Sequence, residues 1–153
     1  MMPIHLLYSS ISGNTRAFVT KLTEYAKTQG HFTLIPIEIS DATSDIIETS
    51  PFFALVPTYL DGGNGIDNGV FEILTEPLRE QLEIPENQQH LLGIIGSGNK
   101  NFNAQYILTA RRYAVQFKVP LIANYELRGT SNDVQRVYEA IQQRLTEVQS
   151  SHN

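Results

Sequence analysis

Short apolar runs alternate along this chain with stretches of helical periodicity, and this alternation restricts the possible folds more than any other feature. Residues 4–8 are an apolar run too short for a helix, and a stripe that includes Phe18 and Leu22 follows and ends at Gly30. Residues 51–59, "PFFALVPTY", are apolar on both faces, as a covered central strand would be. Because parallel neighbours need crossover connections, the alternation predicts a parallel sheet with helices on both faces.

The remaining segments continue the same pattern. Pro36 lies in an alternating β-type segment and suggests an edge strand, because proline cannot donate a ladder hydrogen bond. A helical pattern from about Val70 is disturbed by Pro77, and residues 43–49 are a poor candidate for the second helix. The other predicted strands lie within residues 31–39, 90–102 and 119–129, and the other predicted helices span residues 106–117 and 134–148. We predict one domain over residues 1–153, with a frayed end.

The composition excludes several classes of function. Cysteine is absent, which removes disulfides, thiolate catalysis and thiolate metal sites, and the four histidines are scattered, so we predict no metal centre. The net charge is −5 and no Lys/Arg cluster could replace counterions, so we expect neither nucleic acid nor an anionic membrane as partner. No apolar run approaches eighteen residues and no basic leader precedes an apolar core, so we expect a cytoplasmic protein.

Three polar loops follow predicted strands, at residues 9–15, 58–69 and 97–102. In an open α/β sheet, ligands lie beyond the carboxyl ends of the strands, where the strand order reverses. The similar composition of the three loops therefore indicates one shared ligand.

The first loop, "SSISGNT", has the residues of an anion site. Its hydroxyls can donate to phosphate oxygens, Gly13 permits close backbone approach, and the first amides of the following helix face the anion. The alternative is a helix N-cap, for which serine and asparagine are common. A cap needs one such residue, whereas six of these seven positions are small or polar, which favours phosphate. The lysine of GxxxxGK[ST] is missing, so a monophosphate fits better than a triphosphate.

The other two loops are less specific. Residues 58–69 contain four glycines, which let peptide units reorient, although a long surface turn could have the same composition. Residues 97–102, "SGNKNF", could supply amide donors to a flat heterocycle, with Phe102 or Tyr59 as an aromatic surface. Taken alone, this loop favours the alternative in which Phe102 is a core residue and the two asparagines are turn formers.

Other α/β chemistries lack a required residue. A low-molecular-weight phosphatase needs a cysteine in the first loop, a response-regulator receiver needs an acidic pair after the first strand, and a serine hydrolase needs GxSxG. No side chain is a convincing catalytic acid, base or nucleophile. A bound cofactor would therefore carry any redox chemistry, and whether the chain is an enzyme in its own right stays open.

Several segments together resemble a known family. "SISGNT" at residues 10–15 resembles the phosphate loop of flavodoxins, which binds the 5′-phosphate of FMN. "VPTY" with the glycine loop, "GIIGSGNKNFNAQY" at 93–106 and "VPLIANYELRGTSNDV" at 119–134 are similar to the NrdI family, small flavodoxin-like partners of class Ib ribonucleotide reductase. The similarity runs from Ile4 to about Val148. It implies a flavodoxin-like, doubly wound α/β fold whose five-stranded parallel sheet has the order 2-1-3-4-5.

The resemblance also implies a function. A protein of this kind binds FMN and receives electrons from a donor such as a reductase or a ferredoxin-like protein. Its reduced flavin reacts with O₂ and delivers a superoxide-type oxidant to the small dimanganese subunit of the reductase, which is oxidised to its Mn(III)₂–tyrosyl radical form. An ordinary flavodoxin electron carrier and a divergent non-redox binding module are the alternatives.

The positions that match the family motifs would form the cofactor site. The phosphate would be held by Ser9, Ser10, Ser12, Gly13, Asn14 and Thr15. The isoalloxazine would be lined near N5 by Thr58, Tyr59, Gly62 and Gly63, and at its pyrimidine edge and far side by Ser97, Gly98, Asn99, Asn101, Phe102 and Tyr106. Gly129 is expected to border the ring.

The loop after Tyr59 departs from the family pattern. "LDGGNGIDNG" is longer than the compact glycine run of the family and carries Asp61 and Asp67. We expect both carboxylates to lie within about 10 Å of the flavin, close to a Debye length. There they would disfavour the anionic form of the reduced flavin and lower the second reduction potential. This departure leaves open whether the chain is a working activator or a divergent relative.

Overall fold

Five parallel strands form the central sheet of the computed structural model, which describes residues 2–10, 13–58, 60–61, 71–72, 75–99 and 107–151. In chain order the strands are β1 (Met2–Tyr8), β2 (Phe32–Glu38), β3 (Phe52–Pro57), β4 (Leu60–Asp61), β5 (Phe71–Glu72), β6 (Leu91–Gly98) and β7 (Leu121–Glu126). The sheet has the order β2-β1-β3-β6-β7, while β4 and β5 form a separate antiparallel pair. Counted within the sheet, this is the predicted order 2-1-3-4-5.

Strand β2 lies at one edge of the sheet, as Pro36 predicts, and pairs along its whole length with β1. The helices are α1 (Asn14–Gln29), α2 (Glu76–Glu83), α3 (Pro85–His90), α4 (Leu108–Phe117) and α5 (Ser131–Ser151). Helix α1 ends at Gly30, whose φ of 77° is the left-handed conformation typical of a glycine C-cap.

The core has two layers, one on each face of the sheet. Alternate residues of β1 divide between them: Leu6 packs with α1 and α5, whereas Leu7 packs with α2 and α4. Strand β3 is buried at all six positions, which explains why its sequence shows no alternation. Helices on both faces confirm the predicted doubly wound arrangement.

One prediction for the middle of the chain is wrong, and one helix there was missed. The helix predicted from about Val70 does not start at that residue, because Phe71–Glu72 instead form a short antiparallel pair with Leu60–Asp61. Helix α2 starts only at Glu76, with Pro77 in its first turn, where the missing amide of proline costs no hydrogen bond. The short helix α3 was not predicted.

Residues 43–49, the poor candidate for a second helix, form neither helix nor strand. Buried amide side chains take the place of helical hydrogen bonds. Gln81 accepts from the Ile46 amide at 2.9 Å, and Asn87 accepts from the Glu48 amide at 2.8 Å and donates to the Ile46 carbonyl at 2.7 Å. The segment is therefore held without helix or strand by side chains that are distant in sequence.

Candidate functional site

The carboxyl ends of β1, β3, β6 and β7 meet at one edge of the sheet, where the polar loops follow them. Two backbone hydrogen bonds tie these ends together. The Thr58 amide donates to the Ser97 carbonyl at 3.0 Å, and the Leu127 amide donates to the Gly98 carbonyl at 2.9 Å. The strand order reverses between β1 and β3, the position where open α/β sheets bind ligands.

Ser9 and Ser10 follow β1 directly and differ in their hydrogen bonding. Ser9 is 1% exposed, and its hydroxyl has no hydrogen-bond partner among the described residues. The Ser10 hydroxyl accepts from the Arg16 amide at 3.1 Å. Because a hydroxyl can accept and donate at once, Ser10 keeps a proton for a further acceptor. The cap and the anion site, proposed as alternatives from sequence, are thus compatible: the Ser10 hydroxyl bonds an amide of the first helical turn, and the Ser9 hydroxyl has no partner among the described residues.

Helix α1 begins without a side-chain cap at its N-cap residue. That residue is Gly13, in the left-handed conformation with φ 89°, and an added Cβ would meet no atom within 4 Å. The first helical hydrogen bond runs from the Ala17 amide to the Gly13 carbonyl at 3.0 Å. The amides of Asn14 and Thr15 therefore precede the helical ladder, in the position that binds anions at helix N-termini.

The end of β3 carries a second unpartnered hydroxyl. Thr58 is only half-buried as a residue, yet its Oγ1 is inaccessible to solvent and has no partner among the described residues. Leaving such a group unpaired costs about 1–3 kcal/mol, so an atom of this kind at a ligand edge indicates a missing acceptor or donor. The hydroxyls of Thr58 and Ser9 therefore both lie, without a partner among the described residues, at the strand ends predicted to bind FMN.

The end of β6 brings Ser97 and Gly98 to the same edge, with Asn99 immediately after them. Ser97 is 4% exposed and pairs in register with Pro57 on one side and Tyr125 on the other. The predicted residues Ser9, Ser10, Gly13, Asn14, Thr15, Thr58, Ser97, Gly98 and Asn99 are thus all at the carboxyl edge of the sheet. Seven other predicted site residues lie outside the described residues: Ser12, Tyr59, Gly62, Gly63, Asn101, Phe102 and Tyr106.

Gly129 also lies at this edge, but the packing around it is enough to explain why the residue is glycine. Its φ is 73°, and an added Cβ would lie 2.5 Å from Cδ1 and 2.7 Å from Cε1 of Phe18. Phe18 in turn stacks on Tyr125 with ring centroids 3.7 Å apart. Close approach to the core therefore requires glycine here, and contact with a flavin stays a prediction. Leu127, two residues earlier, also has a positive φ of 54° and is exposed.

Sequence reasoning missed a charged cluster beside the first loop. Arg16 donates to Glu38 through Nε at 2.8 Å and Nη2 at 2.9 Å, and the Tyr8 phenol contacts both side chains. The hydrogen bonds from Arg16 lower the pKa of Glu38, whereas burial, followed by Glu38, raises the pKa of Tyr8. The sequence carries no local signal for this cluster, because Tyr8 and Glu38 become neighbours only through the register of β1 and β2, in which they are direct partners.

The part of the chain that the structure describes contains no group of three or more His, Asp or Glu side chains that could hold a metal ion. Its helices include none with the length and apolar character needed to cross a membrane.

A doubly wound sheet of this order, with anion-binding features after its first strand, defines a flavodoxin-like protein, a class that generally binds FMN. The chain matches the family described as NrdI Flavodoxin like over residues 6–139. It is 46% identical over 154 residues to a NrdI-like protein of Streptococcus pyogenes serotype M18, covering 99% of this chain and 100% of that protein. It is 35% identical over 133 residues to Protein NrdI of Bartonella bacilliformis, covering 87% of this chain and 90% of that one. The chain therefore belongs to the NrdI flavodoxin-like family, as its motifs suggest.

Among solved structures, a short-chain flavodoxin associated with a bacterial microcompartment is similar to this chain with a TM-score of 0.71 at 17% identity. The match covers 96% of this chain and 99% of that one. Identity this low supports the shared fold and nothing beyond it.

Proposed function

We propose that this protein binds FMN and supports class Ib ribonucleotide reductase by supplying the oxidant with which the small dimanganese subunit assembles its Mn(III)₂–tyrosyl radical form. The observation that carries the FMN part is the pair of buried hydroxyls on Ser9 and Thr58, which have no partner among the described residues and lie at the strand ends of a NrdI-family chain. Family membership supports the link to the reductase. An electron donor, O₂ and the dimanganese subunit are the expected partners, and we expect all of them in the cytoplasm.

The described residues fit the cofactor as neutral donors. Ser9, Ser10 and the amides of Asn14 and Thr15 would hold the phosphate, and Thr58 with the Ser97–Asn99 segment would contact the ring. Ser9, Ser97 and the Thr58 hydroxyl oxygen are shielded from water, which favours directed hydrogen bonds over solvation at these groups. When bound, FMN supplies electron transfer and reaction with O₂.

Replacement of Ser9 is expected to weaken cofactor binding without lowering the stability of the apoprotein. We expect Ser9→Ala to weaken FMN binding about tenfold, because a hydrogen bond to a charged group contributes roughly 1.5 kcal/mol or more. The hydroxyl has no partner among the described residues, so its removal takes no hydrogen bond from the apoprotein, whose free energy of unfolding should stay the same or rise. Flavin fluorescence titration and urea denaturation measure the two quantities.

The matched control is Thr23→Val, which removes another buried, unpartnered hydroxyl from the middle of α1. It should leave FMN affinity unchanged. Equal affinities of Ser9→Ala and wild type would contradict the assignment of Ser9 to the phosphate site.

The acidic residues of the lengthened loop should affect the flavin potential. Asp61 lies in β4, whose pairing with β5 closes the base of the loop, and Asp67 lies outside the described residues. Replacing both with asparagine removes two negative charges, so we expect the second reduction potential to rise. Spectroelectrochemical titration of the double variant against wild type checks this, and unchanged potentials would refute the predicted proximity of the carboxylates.

The function is tested by following the absorbance of the purified protein during stepwise reduction and then aerating it with the dimanganese subunit. Formation of the tyrosyl radical only when the flavoprotein is present supports the proposal. Reversible flavin reduction without radical formation would identify an electron carrier instead. A colourless protein that takes up no added FMN would identify a non-redox binding module.

A further inference from the structure

Arg16 is the only basic side chain between His5 and Lys21, and it lies in the first turn of α1 beside the proposed phosphate site. An exposed guanidinium next to an anion site would ordinarily pair with the anion, because its fork matches phosphate geometry. The backbone of Arg16 does belong to the site, since its amide donates to the Ser10 hydroxyl at 3.1 Å. Its side chain, however, is directed elsewhere.

Both oxygens of Glu38 hold that side chain. The bidentate contacts, at 2.8 and 2.9 Å, join the first turn of α1 to the last residue of the edge strand β2. Although both side chains are partly exposed, bidentate geometry is the arrangement in which a surface ion pair is most effective. The Arg16 guanidinium is therefore engaged before any ligand arrives.

Glu38 is itself fixed by its neighbours. It is the register partner of Tyr8, whose buried phenol contacts its carboxylate, and the next amide, of Ile39, donates to the Tyr8 carbonyl at 2.7 Å. Because the hydrogen bonds from Arg16 lower the pKa of Glu38, the carboxylate is ionised at neutral pH. The guanidinium is thus held by a carboxylate at the end of β2, whose backbone pairs with β1.

We propose that Glu38 is a positioning residue that holds the Arg16 guanidinium away from the phosphate site, so that a phosphomonoester is bound by neutral hydroxyl and amide donors alone. The identity of that phosphomonoester as FMN rests on the proposed function, whereas the role of Glu38 does not. Neutral donors at fixed positions select an anion by geometry, while a free guanidinium would attract any oxyanion. Glu38 would therefore give the site its selectivity at the expense of affinity.

The test uses inorganic phosphate as the probe, titrated into the apoprotein while the amide resonances of Gly13, Asn14 and Thr15 are followed. We expect Glu38→Thr, which keeps a β-forming residue on the edge strand, to bind phosphate about fivefold more tightly than wild type, an advantage that high salt removes. Glu38→Gln keeps a hydrogen-bond acceptor for Arg16 and should show a smaller gain in phosphate affinity. This second variant keeps the proposal testable if Glu38→Thr does not fold.

Two controls separate this role from a change in net charge. Adding Arg16→Gln to Glu38→Thr should abolish the gain. Glu24→Gln, which removes a carboxylate paired with Lys27 at 3.5 Å on the exposed face of the same helix, should have no effect. Phosphate affinity that is unchanged or weaker in Glu38→Thr, or a gain that persists without Arg16, would overturn the proposal. So would a wild type and Glu38→Thr that both fail to bind phosphate.

Titration with FMN and with riboflavin distinguishes the two proposals. The gain in Glu38→Thr should appear with FMN and vanish with riboflavin, which has no phosphate. If the wild type binds phosphate and neither flavin, the proposed function fails while the role of Glu38 stands on the phosphate data. If FMN binds equally to wild type and Glu38→Thr, the role of Glu38 fails while the proposed function stands.

Discussion

Replacing Asn87 with alanine is expected to lower the free energy of unfolding by about 3 kcal/mol. The Asn87 side chain is fully buried, accepts from the Glu48 amide and donates to the carbonyls of Ile46 and Gln81, at 2.7–2.8 Å. Alanine leaves three main-chain groups without these partners, and each such loss costs about 1–3 kcal/mol where water cannot enter. Urea denaturation followed by circular dichroism measures the change.

Two variants test this explanation. Asn87→Asp preserves volume and the acceptor but loses both donors and brings a carboxylate near the buried Glu48, so it should be at least as destabilising as alanine. Gln88→Ala removes an exposed side chain from the next position of α3 and should cost less than about 0.5 kcal/mol. Near-wild-type stability of Asn87→Asp would show that packing volume, not hydrogen bonding, is what this position requires.

Gly129→Ala is expected to destabilise the protein by roughly 3 kcal/mol. Two costs combine: a left-handed backbone, with φ 73°, and a Cβ that would lie 2.5 Å from the Phe18 ring. Phe18 has little freedom to retreat, since it is completely buried and stacked against Tyr125. Thermal or urea unfolding of the apoprotein measures the loss.

Gly30→Ala is the matched control, because Gly30 has a similar φ of 77° but nothing within 4 Å of an added Cβ. It should cost about 1 kcal/mol from backbone strain alone. The difference between the two variants then measures the steric contact with Phe18, and Gly129→Ala combined with Phe18→Leu should recover part of it. Equal destabilisation at both glycines would contradict the steric explanation.

The Gly129→Ala variant also tests whether Gly129 belongs to the flavin site. The contact of Gly129 with Phe18 explains the glycine without a ligand, whereas the motif resemblance assigns it to the border of the flavin ring. FMN affinity of folded Gly129→Ala separates the two roles, because a structural role predicts lower stability with unchanged affinity.

Much of the fold was predictable from local patterns. Buried strands such as β3 and the stripe of α1 depend on the spacing of apolar residues, which the sequence displays directly. The helix expected from about Val70 was wrong because Phe71 and Glu72 satisfy their backbone by pairing with β4, a tertiary contact that overrides the helical pattern. Residues 43–49 likewise depend on Gln81 and Asn87, far away in the chain.

The candidate site, like the fold, was predictable from the sequence only in part. By itself, the sequence determined that small hydroxyl residues and Gly13 follow the first strand, and that the chain has the motifs of its family, because these are properties of neighbouring residues. Only the tertiary structure decided that the Ser9 hydroxyl has no partner among the described residues and that Glu38 binds the side chain of Arg16. The reason is physical: residues 22 positions apart meet only after β1 and β2 pair in register and α1 packs against them, and no local pattern encodes that contact.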